Sequence, residues 1–311
     1  MNQHAYIERT YKKFDEVLEL YGRRIFRVIG AAEDVLSYAT DDHLRLPPAK
    51  ADMAPIASGT VWGHEWGNMW LSTTYTVPAE ADGKTLCVIC DAEAVEIMCF
   101  RNGKPAGIIN SKNQFLGGMH SAMFLASPAK AGETYEVALE CYAGHTCLEC
   151  WPYANYERDE SVHDKCEHRY HGIKFAVMEP VIRDFVFDVA TALQIARLPG
   201  ENFVAMRAHE CIMEAFPYLI GDILSATEEE ILESCAKISE ILAPALQKKE
   251  GGDRTRGKIG VIGHSHMDTA WLWPVDETIR KCARTYSQTL NLMDIYPEYT
   301  FIQSSLCTST G

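Results

Sequence analysis

The hydrophobic and polar positions change their spacing along the chain, and each spacing predicts a different kind of structure. Over residues 5–28, apolar side chains recur at helical spacing with charged residues between them, which predicts an amphipathic helix. Residues 40–56 are rich in proline and charge and predict an irregular connection. The apolar stripe of the helix comprises Tyr11, Phe14, Val17, Leu18, Tyr21 and Ile25.

A strand pattern follows from about residue 57 to residue 145. Ile97 and Cys99 alternate with polar or bulky neighbours, and the dipeptide Asn102-Gly103 is a strong hairpin signal before the next short strand. Several such strands separated by turn residues predict an antiparallel β-sandwich. The predicted strands lie at 73–77, 95–99, 106–109 and 135–142.

The later part of the chain changes again, toward helices. Residues 173–187 are strongly apolar and predict a long strand broken at Pro180. Residues 202–216 predict a helix, and Thr227 with Glu230 forms the sequence of a capping box before another.

The patterns together predict an α+β chain. An N-terminal helix is joined to an antiparallel β-sandwich and a helical region, followed by the first β/α unit of a truncated β/α-barrel catalytic domain. Only 54 residues follow residue 257 (311 minus 257), whereas such a barrel needs roughly 250. The predicted domains are residues 1–56 (helix and connection), 57–187 (sandwich), 188–250 (helical region), 251–257 (linker) and 258–311 (start of the catalytic domain).

Charge and cysteine content narrow the partners and the compartment. The formal net charge of −14 argues against nucleic acid and anionic membrane surfaces as partners. The sequence shows neither an apolar run of transmembrane length nor a signal peptide's apolar core at its start. Eleven cysteines in such a chain predict reduced thiols and a cytoplasmic protein.

The candidate chemistry lies in Lys258–Trp273, which reads K-I-G-V-I-G-H-S-H-M-D-T-A-W-L-W. Its apolar start predicts a strand buried on both faces. Side chains two residues apart on an extended chain point the same way, so His266 and Asp268 can converge on one point, joined by His264. Imidazole nitrogen and carboxylate oxygen are good zinc ligands. The segment therefore predicts a zinc site at the carboxyl end of a strand.

Two tryptophans follow these donors directly. Trp271 and Trp273 would place a large apolar face beside the metal, which suits a sugar ring. Pro274 then opens a predicted helix over 275–296, whose apolar stripe would cover the barrel.

The motifs resemble those of a known family. H-S-H-M-D-T-A-W-L-W-P, then E-T-I-R-K-C-A-R and L-x-L-M-x-x-Y-P-E-Y, are similar to the first barrel segment of the family 38 α-mannosidases, of the cytosolic and vacuolar branch. The resemblance implies a retaining, zinc-dependent exo-α-mannosidase that acts on α-mannoside oligosaccharides. It implies His266 and Asp268 as zinc ligands and Trp271 as the residue stacked under the mannose. No carboxylate in this chain matches the family's nucleophile or its acid/base, so we expect no activity from the chain alone.

Two other functions fit parts of the same sequence. Metal-dependent amidohydrolases also carry His-x-His at the end of their first barrel strand, and His264-x-His266 fits that pattern. A non-catalytic carbohydrate-binding protein would instead use Trp62, Trp66 and Trp70 on the sandwich. Large aromatic residues dominate cores, so we favour these three tryptophans as core residues.

A second group of metal-ligand residue types lies in residues 141–171. Cys147-x-x-Cys150 and His163-x-x-Cys166 have zinc-like spacing, although the order is not that of a common finger. The favoured interpretation is a histidine-rich surface loop with a few buried thiols, and a second, structural zinc is the alternative. The same segment holds Cys141, His145, His168 and His171.

The predicted barrel unit also bears on association. Its apolar strand and helix stripe would lie exposed without neighbouring strands, and exposed apolar edges pair with other chains. We expect residues 258–311 either to dock on a second copy, giving a homo-oligomer, or to stay mobile.

Overall fold

The computed structural model describes residues 3–110, 121–144, 167–199, 202–246, 260–268 and 273–303. They fall into two compact units. Of these described residues, those up to 27 and those between 178 and 246 form one, which we call the helical unit, and all the others form the second, the sandwich unit. The division is not in chain order, unlike the predicted domains: the described residues of the predicted catalytic segment belong to the same unit as the sandwich.

Four helices build the helical unit, and their bounds are α1 (Gln3–Gly22), α2 (Pro180–Ala196), α3 (Phe203–Ala215) and α4 (Glu228–Leu246). The apolar stripe predicted for α1 is buried, and the ring of Tyr21 lies 4.7 Å from that of Phe185 on α2. The capping box is confirmed at the start of α4. The backbone N–H of Thr227 donates to Glu230 at 2.8 Å, and the N–H of Glu230 donates to Thr227 Oγ1 at 3.2 Å.

The prediction of one long strand over 173–187 is wrong after its first half. The strand ends at Met178, and Pro180 begins helix α2. Proline is well suited to the first turn of a helix, because its missing N–H would lack an intrahelical partner there. The apolar residues beyond it recur at helical spacing and are buried: Ile182, Phe185, Val186, Val189 and Leu193.

The sandwich unit contains two main sheets, as predicted. The strands are β1 (Phe26–Ala31), β2 (Leu36–Thr40), β3 (Ala54–Pro55), β4 (Val61–Trp62), β5 (Asn68–Thr76), β6 (Leu86–Asp91), β7 (Glu96–Arg101), β8 (Lys104–Ile109), β9 (Met123–Ala126), β10 (Thr134–Tyr142), β11 (His168–Arg169), β12 (Gly172–Met178), β13 (Gly263–His264) and β14 (Phe301–Ile302). One sheet has the order β1-β12-β6-β9 and the other β3-β2-β5-β10-β7-β8. β1 and β2 lie before residue 57, so the sheets begin earlier than predicted.

Alternation along the central strands places one set of side chains in the sandwich core. Leu139 and Cys141 of β10 and Ile97 of β7 are buried in one cluster with Val88 of β6 and Phe175 of β12. The hairpin between β7 and β8 is confirmed, with Asn102 and Gly103 both at positive φ (52° and 73°). The core therefore lies between the two sheets, as the period-two pattern indicates.

The alternate residues of the six-stranded sheet form its outer face, and helix α5 (Val275–Ile295) lies on that face. Trp70, Met98 and Phe100 form a buried cluster there, against which Ala283 of α5 packs. Gly107 of β8 allows a close approach, since a Cβ built on it would lie 2.8 Å from Nδ2 of Asn291. The predicted helix is thus confirmed in extent, but it packs on the sheet of its own chain.

The side of α5 that faces the sheet is polar. Glu277, Arg280, Arg284 and Ser287 are buried, whereas Ile279 and Leu290 of the predicted apolar stripe are exposed. This side of α5 contacts the sheet of its own chain, and the expected association of residues 258–311 with a second copy stays a prediction. Buried charges need partners, and the sheet supplies them. Among the helices that the structure describes, none is long and apolar enough to cross a membrane.

Candidate functional site

The predicted metal-binding segment enters the structure at β13, which pairs in parallel with β14. Gly263 is opposite Phe301 and His264 is opposite Ile302. The strand is short. The two apolar side chains before it were predicted to be buried but are exposed, Val261 to 84% and Ile262 to 60%. Within the described ranges β13 has this single partner strand, so the run that was predicted to be buried on both faces meets solvent.

His266 and Asp268 come together as predicted. Nε2 of His266 lies 3.3 Å from Oδ1 of Asp268, and both side chains are accessible to solvent. Two ligands at the corners of a tetrahedron around zinc, with bonds of about 2.0–2.1 Å, lie roughly 3.3–3.4 Å apart. The spacing of this donor pair therefore fits one shared zinc ion. In the part of the chain that the structure describes, no third histidine, cysteine or acid completes a group of three.

Of the other residues predicted around this site, the structure describes two, His264 and Trp273. His264 is exposed on β13. Trp271 lies outside the described residues. Trp273 is half-buried: its indole N–H donates to Oγ1 of Thr278 at 3.1 Å, and Nζ of Lys281 lies 4.6 Å from the centre of its ring. Both partners belong to α5, so Trp273 is held on the first turns of that helix.

One residue between the two donors was missed by sequence reasoning. Met267 is buried, at 9% exposure, and its Sδ lies 3.1 Å from Sγ of Cys282 on α5. Because side chains alternate along an extended chain, burial of Met267 fits the outward direction of both His266 and Asp268. The available signal was the same alternation, H-M-D, with an apolar residue in the middle.

A buried charge cluster between α5 and the sheet was also missed. Nη2 of Arg280 lies 3.3 Å from Oε1 of Glu140 on β10, and Nε of Arg284 lies 2.7 Å from Oε2 of Glu96 on β7. Arg284 Nη2 also donates to Glu277, in the first turn of the helix. The signal was the spacing of Glu277, Arg280 and Arg284 at i, i+3 and i+7, which marks one side of a helix.

The electrostatics of this cluster follow from burial and proximity. Burial raises the pKa of Glu140, and the neighbouring Arg280 and Arg284 counter this only in part. Burial would also raise the pKa of Glu96, but the adjacent Arg284 guanidinium holds it below the ordinary value. The cluster therefore contains one carboxylate that is easy to ionise and one that is hard to ionise.

The four central members of the second predicted metal group cannot be placed. Cys147, Cys150, His163 and Cys166 lie outside the described residues, as does His145. The remaining members have other partners. Cys141 is buried in the sandwich core, Nε2 of His168 lies 2.6 Å from the carbonyl oxygen of Ala143, and Nε2 of His171 lies 3.1 Å from Oε1 of Glu93.

The sandwich tryptophans are mainly core residues, as favoured from the sequence. Trp70 is fully buried and Trp62 is buried, with its indole N–H donating to the carbonyl oxygen of Ala92 at 3.0 Å. Trp66 is half-buried in a left-handed backbone conformation, with φ of 66°. The buried rings of Trp62 and Trp70 offer no open face for a sugar.

Two family models match separate parts of the chain. The model described as "Glycosyl hydrolases family 38 N-terminal domain" matches residues 256–308, which include the donor pair and α5. The model described as "Alpha-mannosidase, jelly roll domain" matches residues 36–157, which include β2 to β10. The two matched segments are the two sides of the contact between α5 and the sheet.

Curated relatives match this chain over a small part of their own length, two of them over most of this chain and one over a short segment. Alpha-mannosidase 2C1 of Homo sapiens is 25% identical over 281 residues, 88% of this chain and 25% of the relative. The Mus musculus protein of the same name is 24% identical over 265 residues, 83% and 23% of the two chains. Alpha-mannosidase of Saccharomyces cerevisiae is 45% identical over 56 residues, 18% and 5% of the two chains. The chain thus spans about a quarter or less of the length of these relatives.

Solved structures resemble the chain only slightly. A β-glucuronidase from Ruminococcus gnavus in complex with D-glucuronic acid is 12% identical, with a TM-score of 0.32, and the match covers 49% of this chain and 30% of the other. Proteins at this level of similarity need not share a fold.

Proposed function

We propose that this chain, a relative of the family 38 α-mannosidases over its sandwich and its donor segment, is the N-terminal part of a retaining, zinc-dependent exo-α-mannosidase. The observation that supports this most directly is the donor pair. His266 and Asp268 lie within the segment that matches the family 38 domain, at a separation that one zinc ion would bridge. The barrel start predicted for this segment is part of the proposal.

The chain's own residues would bind and orient the sugar. His266 and Asp268 would supply two zinc ligands, and Trp271 would offer the face on which the terminal mannose stacks. A zinc ion held there would bind hydroxyl groups of the mannose and favour the distorted ring of the oxocarbenium-like transition state. We assign no nucleophile and no acid/base to this chain, and we expect it to lack glycosidase activity by itself.

The proposed substrates are oligosaccharides with terminal α-mannose, and the proposed compartment is the cytoplasm. Within the described residues the cysteines are free thiols, namely Cys87, Cys90, Cys99, Cys141, Cys211, Cys235 and Cys282. Burial raises the pKa of several of them, including Cys99 and Cys141, so they are weak nucleophiles. Reduced, buried thiols are typical of cytosolic proteins.

The proposal is tested in a protein that continues this chain through the downstream reading frame. We expect hydrolysis of an aryl α-mannoside that is lost on chelation and restored by zinc. Asp268→Ala should remove bound zinc and activity, whereas His264→Ala should keep most of both. If His264→Ala removed the metal and Asp268→Ala did not, the ligands would be those of the amidohydrolase pattern, and the mannosidase proposal would be wrong.

A further inference from the structure

We infer that Met267 is a positioning residue, which holds His266 and Asp268 in place by anchoring them to α5, and through α5 to the sandwich. The inference rests on the proposed zinc-dependent function, because the donor pair matters only if it binds metal. Met267 and Cys282 would then support the metal site without contacting metal or sugar.

Met267 contacts Cys282 of α5. The thioether sulfur of Met267 lies 3.1 Å from the thiol sulfur of Cys282, and the Met267 side chain is buried. Its neighbours point to solvent, with the His266 side chain 83% exposed. A buried residue between two exposed donors fixes the backbone from which both donors project. Loss of that anchor would let each donor sample many positions, although zinc requires both within a few tenths of an ångström.

The side of α5 opposite Cys282 is attached to the sheet. Cys282 is two residues from both Arg280 and Arg284, and at about 100° per residue it lies on the opposite side of the helix from them. Arg280 and Arg284 contact Glu140 and Glu96 of the sheet. The helix therefore lies between the sheet and the donor segment, with one side bound to each.

A hydrogen bond to Gln288 fixes the position of α5 along the sheet. Oε1 of Gln288 accepts a hydrogen bond from the backbone N–H of Ile108 at 3.1 Å. A bond to the backbone of β8 fixes the position of the helix along its own axis, which flexible ion pairs do not do alone. The donor pair thus takes its position from the sheet, through α5 and Met267.

The test measures hydrogen exchange of the metal-free chain by mass spectrometry. Met267→Ala should speed exchange of the backbone amides of residues 264–268 by about tenfold or more, while residues 275–295 keep wild-type rates. Met267→Leu keeps the volume of the side chain and should stay within about twofold of the wild type. Cys282→Ala is a milder change and should speed exchange at 264–268 by a smaller factor. It keeps the test decisive if Met267→Ala fails to fold.

The matched control is Met178→Ala, since Met178 is a buried methionine at the last position of β12, where the chain enters the helical unit. It should leave exchange at 264–268 unchanged. Wild-type exchange at 264–268 in both Met267→Ala and Cys282→Ala would overturn the inference. Equal acceleration by Met178→Ala would also overturn it, since the effect would then be general destabilisation.

A second readout separates the inference from the proposed function. The imidazole ¹⁵N resonances of His266, assigned by their loss in His266→Asn, are followed as zinc sulfate is added. We expect the midpoint zinc concentration to rise about tenfold in Met267→Ala and to return with Met267→Leu. Faster exchange in Met267→Ala without any zinc response of His266 would support the positioning role and overturn zinc binding by this pair. Unchanged exchange would overturn the positioning role whatever zinc does.

Discussion

Nε of Arg284 on α5 lies 2.7 Å from Oε2 of Glu96 on β7, so the helix that follows the donor pair is joined to the sandwich by a buried charge. The same guanidinium donates to Glu277 and lies 5.4 Å from the ring centre of Tyr142 on β10. One side chain therefore contacts two strands and its own helix, in a position where water cannot replace a lost partner.

Arg284→Met should strongly destabilise the sandwich unit. The substitution keeps an unbranched side chain but leaves Glu277 buried without its partner, which typically costs about 3–5 kcal/mol in the free energy of unfolding. Urea unfolding followed by tryptophan fluorescence measures this. Arg23→Met removes an exposed pair with Glu19 and should have a much smaller effect. Similar losses in the two variants would mean that the buried pair has no special role.

Gly107→Ala should destabilise the packing of α5 on β8. Gly107 has φ of +141°, and its added methyl group would lie 2.8 Å from Nδ2 of Asn291 and 3.0 Å from Oε1 of Gln288. We expect a loss of about 1–3 kcal/mol, from backbone strain and overpacking together. Gly172→Ala is the control, because Gly172 has nearly the same φ (+145°) but nothing lies within 4 Å of the added methyl group. A loss in Gly107→Ala no greater than in Gly172→Ala would exclude crowding by α5.

The buried acid Glu140 should make stability depend on pH in a defined direction. Burial raises its pKa above the ordinary 4.5, so the folded state holds this proton more tightly than the unfolded state. The contribution of the group to the free energy of unfolding is then largest below pH 4.5 and falls as pH rises toward the raised pKa. Unfolding in urea is measured across this range for the wild type and Glu140→Gln. The wild-type value minus the variant value should fall as pH rises, and a rising difference would show that the ion pair with Arg280 dominates.

Trp62→Phe should cost stability without changing carbohydrate binding. The indole N–H of Trp62 donates to the carbonyl oxygen of Ala92, which would lose its partner, and the smaller ring leaves a void. We expect a loss of about 1–3 kcal/mol in the free energy of unfolding. Calorimetry with α-mannose oligosaccharides should give the same result for variant and wild type. Loss of binding in Trp62→Phe, with stability unchanged, would favour a carbohydrate-binding function of the sandwich.

Local signals in the sequence identified the parts of the fold that depend on near neighbours. The Asn102-Gly103 hairpin, the capping box of Thr227 with Glu230 and the convergence of His266 with Asp268 each involve residues only a few positions apart. Their geometry is fixed by backbone period and turn chemistry, so the sequence alone predicts them.

The sequence could not show which side of α5 is buried. Pattern analysis assumes that an amphipathic helix buries its apolar side. Here Ile279 is exposed and Arg280 is buried, because Glu140 neutralises it from a strand far away in the chain. The same limit explains Val261, whose burial depends on strand neighbours rather than on its own apolar character. The second predicted zinc group and Trp271 fall outside the described residues and stay predictions.

The long sequence separations across the polar side of α5 have a consequence for the order of folding. Gln288 and Ile108 are 180 positions apart, and Arg280 reaches the carbonyl oxygen of Asp42 across 238 positions. Contacts of such high contact order form late, after the loops between them have closed. During synthesis the sheet leaves the ribosome well before α5, and until then Glu96 and Glu140 can remain hydrated as ordinary surface acids. The area that α5 later covers also holds Trp70, Met98 and Phe100. On the nascent sandwich the two hydrated acids would therefore lie beside an exposed apolar cluster, and their charge would oppose its association with other chains until α5 covers both.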